Sequence, residues 1–254
     1  MVHFVGAGPG APDLITQRGV ALLQKAGCVI YAGSLVNPAL LGLCPAGCRI
    51  YNSAEMSLPQ VLEVMQKAES DGLETVRLHT GDQSIYGAVR EQMDALDRLG
   101  ILWDDTPGVS SFCGAAAALG AEYTLPGISQ TVIITRLAGR TPVPERESLE
   151  KLASHGASMA IFLSSGMLPG VQKALLAGGA YTENTPAALV YKATWPEEKI
   201  VHCTLGTLAE SGEKAGISRT ALVLAGDFLA GKNYEKSCLY DPAFTTGYRK
   251  GTKD

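Results

Sequence analysis

The chain has 254 residues, 46% of them hydrophobic and 18% charged, and its 21 Lys and Arg against 25 Asp and Glu leave a net charge of −4. That balance excludes a disordered chain, offers no basic stripe for nucleic acid, and contains no run of the ~18 apolar residues that a membrane-spanning helix needs. Met1-Val2-His3-Phe4-Val5-Gly6 has neither the basic flank nor the apolar core of a secretory leader, so a soluble, cytoplasmic globular protein is expected.

Val2-His3-Phe4-Val5 is short and β-favouring and runs into Gly6-Ala7-Gly8-Pro9-Gly10-Ala11-Pro12-Asp13. Segment 16–26 has helical character, with Thr16 placed to cap it and Gly27 placed to end it in the left-handed conformation. Cys28-Val29-Ile30-Tyr31 follows as a second strand, which completes a βαβ unit. Ser57-Leu58-Pro59-Gln60 then reads as a capping box, with Val61, Leu62, Met65 and Ala68 on one helical face and Gly72 beyond its end. A strand over 74–79 leads to the turn Thr80-Gly81-Asp82. Ile85, Val89, Met93 and Leu96 then predict an amphipathic helix ended by Gly100. A third turn, Thr106-Pro107-Gly108-Val109-Ser110-Ser111, precedes a small-residue helix over 112–119. Three glycine-containing turns at strand ends suggest a ligand rim, because open α/β sheets bind ligands at the carboxyl ends of their strands.

Beyond about residue 114 the texture changes. Strands are expected over 131–135, 159–163, 188–191 and 221–224, with helices over 145–154 and 168–177. Ile200-Val201-His202-Cys203-Thr204 follows its predecessor after so short a loop that an antiparallel pair and a mixed sheet are expected. The boundary falls between an α/β domain over 1–113 and an α+β domain over 114–254. The tail after Gly231 reads as extended or disordered at its very end.

Several chemistries fail on the residues present. Gly6-x-Gly8-x-x-Ala11 satisfies the dinucleotide fingerprint, but Pro9 removes a backbone donor and no acid follows Tyr31-Ala32-Gly33-Ser34 to hold a ribose. No Walker lysine, hydrolase elbow or metal-ligand spacing is present, and no metal is expected. Cys44-Pro45-Ala46-Gly47-Cys48 resembles the start of a radical-cluster motif, but Tyr51 stands where the next cysteine belongs. Cys28, Cys44, Cys48, Cys113, Cys203 and Cys238 are therefore read as buried, reduced thiols.

The ordered motifs carry a family resemblance. The stretch from Val5 to Thr16 resembles the opening motif of the tetrapyrrole (class III) methyltransferases, which use S-adenosylmethionine. The likeness continues through Tyr31-Ala32-Gly33-Ser34-Leu35-Val36, His79-Thr80-Gly81-Asp82, Tyr86-Gly87 and Pro107-Gly108-Val109-Ser110-Ser111. It runs on through Gln130-Thr131-Val132-Ile133-Ile134-Thr135-Arg136, Gly139-Arg140-Thr141-Pro142-Val143-Pro144-Glu145 and Val190-Tyr191-Lys192-Ala193-Thr194-Trp195-Pro196. Within the family Tyr31-Ala32-Gly33-Ser34-Leu35-Val36, Gly139-Arg140-Thr141-Pro142-Val143-Pro144-Glu145 and Tyr191-Lys192-Ala193-Thr194-Trp195-Pro196 look like the branch acting at C11 of precorrin-4, or of its cobalt-bearing counterpart, in cobalamin synthesis. Gln83 stands where the uroporphyrinogen branch usually carries proline, which agrees.

The resemblance implies a two-domain tetrapyrrole-methylase fold, a mostly parallel N-terminal α/β sheet and a C-terminal mixed sheet with a cleft between, and a homodimer. It implies that Pro9, Thr80, Gly81, Asp82, Ser110, Ser111, Ser164, Ala193 and Ala225 line the cofactor. The acidic macrocycle calls for cationic partners, for which Arg136, Arg140 and Lys192 are candidates, with Lys199 weighed against ordinary surface charge. Tyr31 and Trp195 are candidates to stack on the ring, with core packing the competing explanation. Asp82 and Tyr86 are the catalytic candidates, and capping of a helix near Ser84 is the alternative role for Asp82. Methylation at another ring carbon and a non-catalytic corrinoid-binding protein remain the alternative functions.

Overall fold

The computed structural model describes residues 1–252. The chain forms two compact units, residues 1–115 together with Lys192–Glu198, and Ala116–Tyr191 together with Lys199 onward. A boundary near residue 114 would place 192–198 with the second half, but that segment joins the first unit.

The first unit is a doubly wound parallel sheet. Strands β1 (Val2–Gly6), β2 (Cys28–Tyr31), β3 (Arg49–Asn52), β4 (Thr75–His79) and β5 (Trp103–Thr106) lie in the order β3-β2-β4-β1-β5. Every pairing is parallel. Helix α1 (Gln17–Leu23) flanks one face, where Leu23 packs with Val5, Val29, Val76 and Leu78. Helices α2 (Leu58–Ser70) and α3 (Arg90–Leu99) flank the other, where Val61, Met65, Met93 and Leu96 pack with Val2, Phe4, Cys28 and Ile30. Burial on both faces is why β1 and β2 read as largely apolar, while β4 also buries Arg77 and His79.

The local signals act as their chemistry requires. Thr16 Oγ1 accepts from Gly19 N at 3.2 Å to start α1, and Ser57 N donates to Gln60 Oε1 at 2.8 Å to start α2. Gly72 and Gly100 take φ of +69° and +68° past α2 and α3. Two expectations need correction. Gly27 is not left-handed: α1 ends at Leu23, and Gly27 instead packs so tightly on Leu73 that an added Cβ would lie 2.8 Å from its Cδ2. The helix expected from Ile85 begins only at Arg90, because Tyr86 and Ala88 are left-handed at φ +58° and +50°.

In the second unit, β6 (Val132–Arg136), β7 (Ser158–Phe162), β8 (Pro186–Tyr191), β9 (Lys199–Thr204) and β10 (Ala221–Ala225) form a mixed sheet of order β6-β7-β10-β8-β9. Only β6 and β7 pair in parallel, and β8–β9 is the expected antiparallel pair. Met159, Ile161, Leu189 and Val223 meet Leu149, Val171, Leu175 and Leu208 in its core. Helix α4 (Ser111–Leu119) lies ahead of this sheet in the chain, and α6 (Leu168–Ala177) matches its expected span. The helix expected over 145–154 is a 3₁₀ turn followed by α5 (Leu149–Ala153), parted where Ser148 caps α5. Helix α7 (Leu208–Lys214) adds a third helix where two were expected.

After Gly231 the chain is not simply extended. A 3₁₀ turn spans Cys238–Tyr240, and Arg249 Nη2 donates to the carbonyls of Leu239 and Asp241 at 3.1 and 2.5 Å. The expected disorder at the very end falls on Lys253 and Asp254, outside the described residues. All six cysteines are free, but only Cys28 is buried, and Cys113 and Cys238 are exposed. Among the described residues no helix is long and apolar enough to cross a membrane.

Candidate active site at three glycine turns

Parallel strands all end at one edge, so the turns after β1, β4 and β5 are neighbours. They interlock through backbone. Ala7 N donates to His79 O at 2.7 Å, Gly8 N to Gly81 O at 3.2 Å, and Gly81 N to Gly8 O at 2.8 Å. A Cβ on Gly6 would lie 2.5 Å from Gly108 Cα, and one on Gly108 would lie 2.1 Å from Gly81 O. Main chain fills that space, so no side-chain rotation could make room. Gly8 and Gly81 also need positive φ, at +81° and +62°.

Asp82 fastens two of these turns. Its Oδ2 accepts from Gly108 N at 2.9 Å, and its Oδ1 accepts from Ser84 N at 2.9 Å and from the Ser84 hydroxyl. Burial works to raise its pKa, but the hydrogen bonds from Ser84 and from Gly108 N outweigh it and leave the carboxyl below its ordinary value. The stability it lends is therefore complete above the usual carboxylate range and is lost as pH falls through the lowered value. No helix begins near Ser84, so the capping role expected there becomes a tie between turns. Asp82→Ala is expected to lower unfolding free energy by about 1–3 kcal/mol, because Gly108 N loses its acceptor in a part-buried site. Urea titration of both proteins checks this.

Gly81 and Ser110 complete the rim. A Cβ on Gly81 would reach Ser110 Cα and Ser111 N at 3.5 Å, so glycine leaves a shallow concavity there. Ser110 is buried, and its carbonyl accepts from Cys113 N and Gly114 N as α4 begins at Ser111. Thr80 is half-buried beside them.

The first turn is held from outside by Asn37 and Thr194, to which sequence patterns assign no role, and by Trp195. Asn37 Nδ2 donates to Gly10 O at 2.9 Å. From 192–198, Trp195 Nε1 donates to Pro9 O at 3.1 Å, and Thr194 Oγ1 accepts from Ala11 N at 2.9 Å. The indole lies directly on Gly10, where a Cβ would come within 2.1 Å of Trp195 Cδ1. The Lys192 ammonium sits 5.0 Å from the indole centroid and 3.3 Å from Glu197 Oε1. Ala193, in the same segment, is buried. Trp195, expected to stack on a ring ligand, is thus already stacked on the chain's own turn.

Beneath the rim the residues are buried and polar. His79 packs on Phe4 with ring centroids 6.3 Å apart. Desolvation, helped by the charge of Arg77, pulls its pKa down to about 3, so its ring is neutral at ordinary pH. Arg77, drawn down to about 10 by burial, donates to Gln92 Oε1 at 3.0 Å and to Ile30 O at 3.2 Å. Gln83 reaches across to β5, donating to Thr106 O at 2.9 Å and to Asp105. Tyr86 is 45% exposed on its left-handed turn, while Tyr31 is partly buried against the core cluster on the α1 face.

Five of the remaining candidates belong to the second unit. Ser164 is fully buried, and its hydroxyl accepts from Leu137 N at 2.9 Å and donates to Phe162 O at 2.7 Å. Ala225, also fully buried, pairs with Met159 and Ala187. Arg136 spends its guanidinium on the carbonyls of Thr141 and Pro142, at 3.1 and 2.6 Å, while Arg140 is exposed. Lys199, also in this unit, donates to Ala215 O at 2.7 Å.

Residues 1–209 match the family model of the Tetrapyrrole (Corrin/Porphyrin) Methylases. The chain belongs to the tetrapyrrole methylases. This methylase is 52% identical over 252 residues to the cobalt-precorrin-4 C(11)-methyltransferase of Methanocaldococcus jannaschii, covering 99% of the chain and 97% of that relative. The crystal structure of a cobalamin biosynthetic enzyme, cobalt precorrin-4 methyltransferase, superposes with a TM-score of 0.88 at 46% identity, covering 90% of this methylase and 95% of that chain. Uroporphyrin-III C-methyl transferase from Thermus thermophilus, solved with S-adenosyl homocysteine, reaches a TM-score of 0.74 at 26% identity, covering 90% and 92%. The parallel sheet followed by a mixed one is the fold of this family.

Proposed function

We propose that the chain transfers a methyl group from S-adenosylmethionine to C11 of precorrin-4, or of its cobalt-bearing form, in cobalamin synthesis. The reading is carried by identity of 52% across essentially the whole length of a relative bearing that name. The residues fit the donor. The concavity beside Gly81 is one a Cβ would fill, and it lies against the backbone of Ser110 and Ser111, with the Asp82 carboxylate next in the chain. Pro9, Thr80, Gly81, Asp82, Ser110, Ser111 and Ala193 all belong to the first unit and are the residues proposed to hold it. Ser164 and Ala225 stand as further candidates.

When bound, S-adenosylmethionine supplies a methyl group already activated on a positively charged sulfur. What remains for the protein is to bind, orient and exclude water, effects worth up to ~7–11 kcal/mol. The interlocked turns supply a rigid wall for this purpose. Asp82 is a clamp and not a proton carrier, because its oxygens are engaged and its pKa is low. His79 is neutral and buried, so Tyr86 is left as the group proposed to meet the substrate. Arg140 and Lys192 are proposed to pair carboxylates of the macrocycle, and Tyr31 is proposed to face its ring. Arg136 is proposed to shape the 137–142 loop.

Incubation with methyl-labelled donor and precorrin-4, with and without cobalt, tests the reading. Label at C11 in the product NMR spectrum is expected from at least one substrate. A folded protein that transfers to neither, or labels a different ring carbon, ends the proposal. A cytoplasmic homodimer is the proposed state of the enzyme, and a light-scattering mass of one chain in solution overturns the dimer.

A further inference from the structure

We propose that Thr194 and Trp195 are positioning residues for the Pro9–Ala11 turn, setting the wall against which the methyl donor rests. This inference rests on the donor site proposed above. Three observations within the first unit carry it. Trp195 Nε1 and Thr194 Oγ1 take the carbonyl of Pro9 and the amide of Ala11, the two ends of the turn, at 3.1 and 2.9 Å. The indole occupies the volume of a Cβ that Gly10 does not have, and Gly114 makes the matching allowance on the other side, where its own Cβ would lie 2.9 Å from Pro9 Cβ.

The third observation is strain. Lys192 and Thr194 are non-glycine residues at φ +47° and +68°, within three positions of each other. Such conformations persist only where the surroundings over-determine them. Here Thr194 N donates to Glu198 Oε2 at 2.6 Å, and Lys192 is drawn both to Glu197 and over the indole face. The loop is braced at both ends so that one hydroxyl and one indole N–H meet one turn. A stretch that served only to connect β8 with β9 would have no use for this strain.

The test uses the full-length chain, with the dissociation constant of S-adenosylhomocysteine from titration calorimetry beside steady-state kinetics and thermal melts. Trp195→Phe keeps the ring over Gly10 but loses the N–H. It is expected to raise that constant and the donor KM together by about 3- to 10-fold, the size of one hydrogen bond. Its kcat at saturating donor should stay within about twofold and its melting point nearly unchanged. Thr194→Val should behave alike and Thr194→Ser should restore wild-type binding. Gly10→Ala should lower the melting point, and Gly10→Ala with Trp195→Ala should regain stability without regaining donor affinity. Wild-type donor affinity in Trp195→Phe, or a rise confined to the tetrapyrrole KM, overturns the inference alone. Failure of the unaltered chain to bind S-adenosylhomocysteine overturns the donor site and this inference with it.

Discussion

Gly108→Ala is expected to be the most damaging single methyl that can be added at the three-turn rim. The new Cβ would lie 2.1 Å from Gly81 O and 2.7 Å from Gly6 Cα, all main chain. Overpacking of a core by side chains costs about 1–3 kcal/mol because neighbours rotate aside. Here β1 and the turn after β4 would have to separate, so the loss should exceed that range and the Gly8–Gly81 bridge should break with it. Gly6→Ala, at 2.5 Å from Gly108 Cα, should follow closely. Gly81→Ala makes no contact shorter than 3.5 Å and should cost only the roughly 1–2 kcal/mol of a left-handed L-residue. Urea midpoints for the three variants give the ranking. A Gly81 variant worse than the Gly108 variant would show that backbone conformation, and not interpenetration of turns, governs the rim.

The second large effect is a dependence of stability on pH that originates in His79. Its folded pKa is near 3, against about 6.5 in an unfolded chain, so the unfolded state takes up a proton that the folded state refuses. Stability from this group is complete above about pH 6.5 and drains as pH falls toward 3. The loss between about pH 7.5 and about pH 5 should be on the order of 2 kcal/mol. His79→Gln should flatten that part of the profile. If wild type and variant lose stability in parallel, the penalty lies elsewhere, and His79 accepts its proton through rearrangement around Phe4.

Much of this architecture could be read from the residues because short-range chemistry and tertiary packing agreed. The capping box at Ser57 and Gln60, the bounds of α6 and the β8–β9 pair are all local decisions that the fold leaves in place. What escaped was set by distant partners. β3 and β5 are edge strands, short and polar, and carry no apolar run to mark them. Asp104 and Asp105 look like loop residues until His3 and Gln83 are found bonded to them. α7 hides behind Gly212, which is in mid-helix because a Cβ there would come within 2.1 Å of Leu168 Cδ1. Ile85 and Val89 have helical spacing, yet the turn through Tyr86 and Ala88 takes them, and Gln92 Nε2 on Ala88 O helps hold it.

At the candidate site the glycines were visible and their purpose was not. A sequence can mark Gly6, Gly81 and Gly108 as turn formers, but only three dimensions reveal that they touch one another. Trp195 was visible as an aromatic worth noting. Its engagement with Pro9 spans 186 positions along the chain, beyond the reach of any local pattern.

That long reach has a bearing on how the polypeptide is made. The first unit lacks Lys192–Glu198 when Ala115 leaves the ribosome, and at ordinary synthesis rates the missing piece arrives on the order of ten seconds later. Until then the nascent sheet carries a glycine turn with its Gly10 surface bare and the Pro9 carbonyl unclaimed. A fragment ending at residue 115 would keep every strand of the parallel sheet, yet it should behave as an unfinished protein, with the stopper for its first turn still unmade.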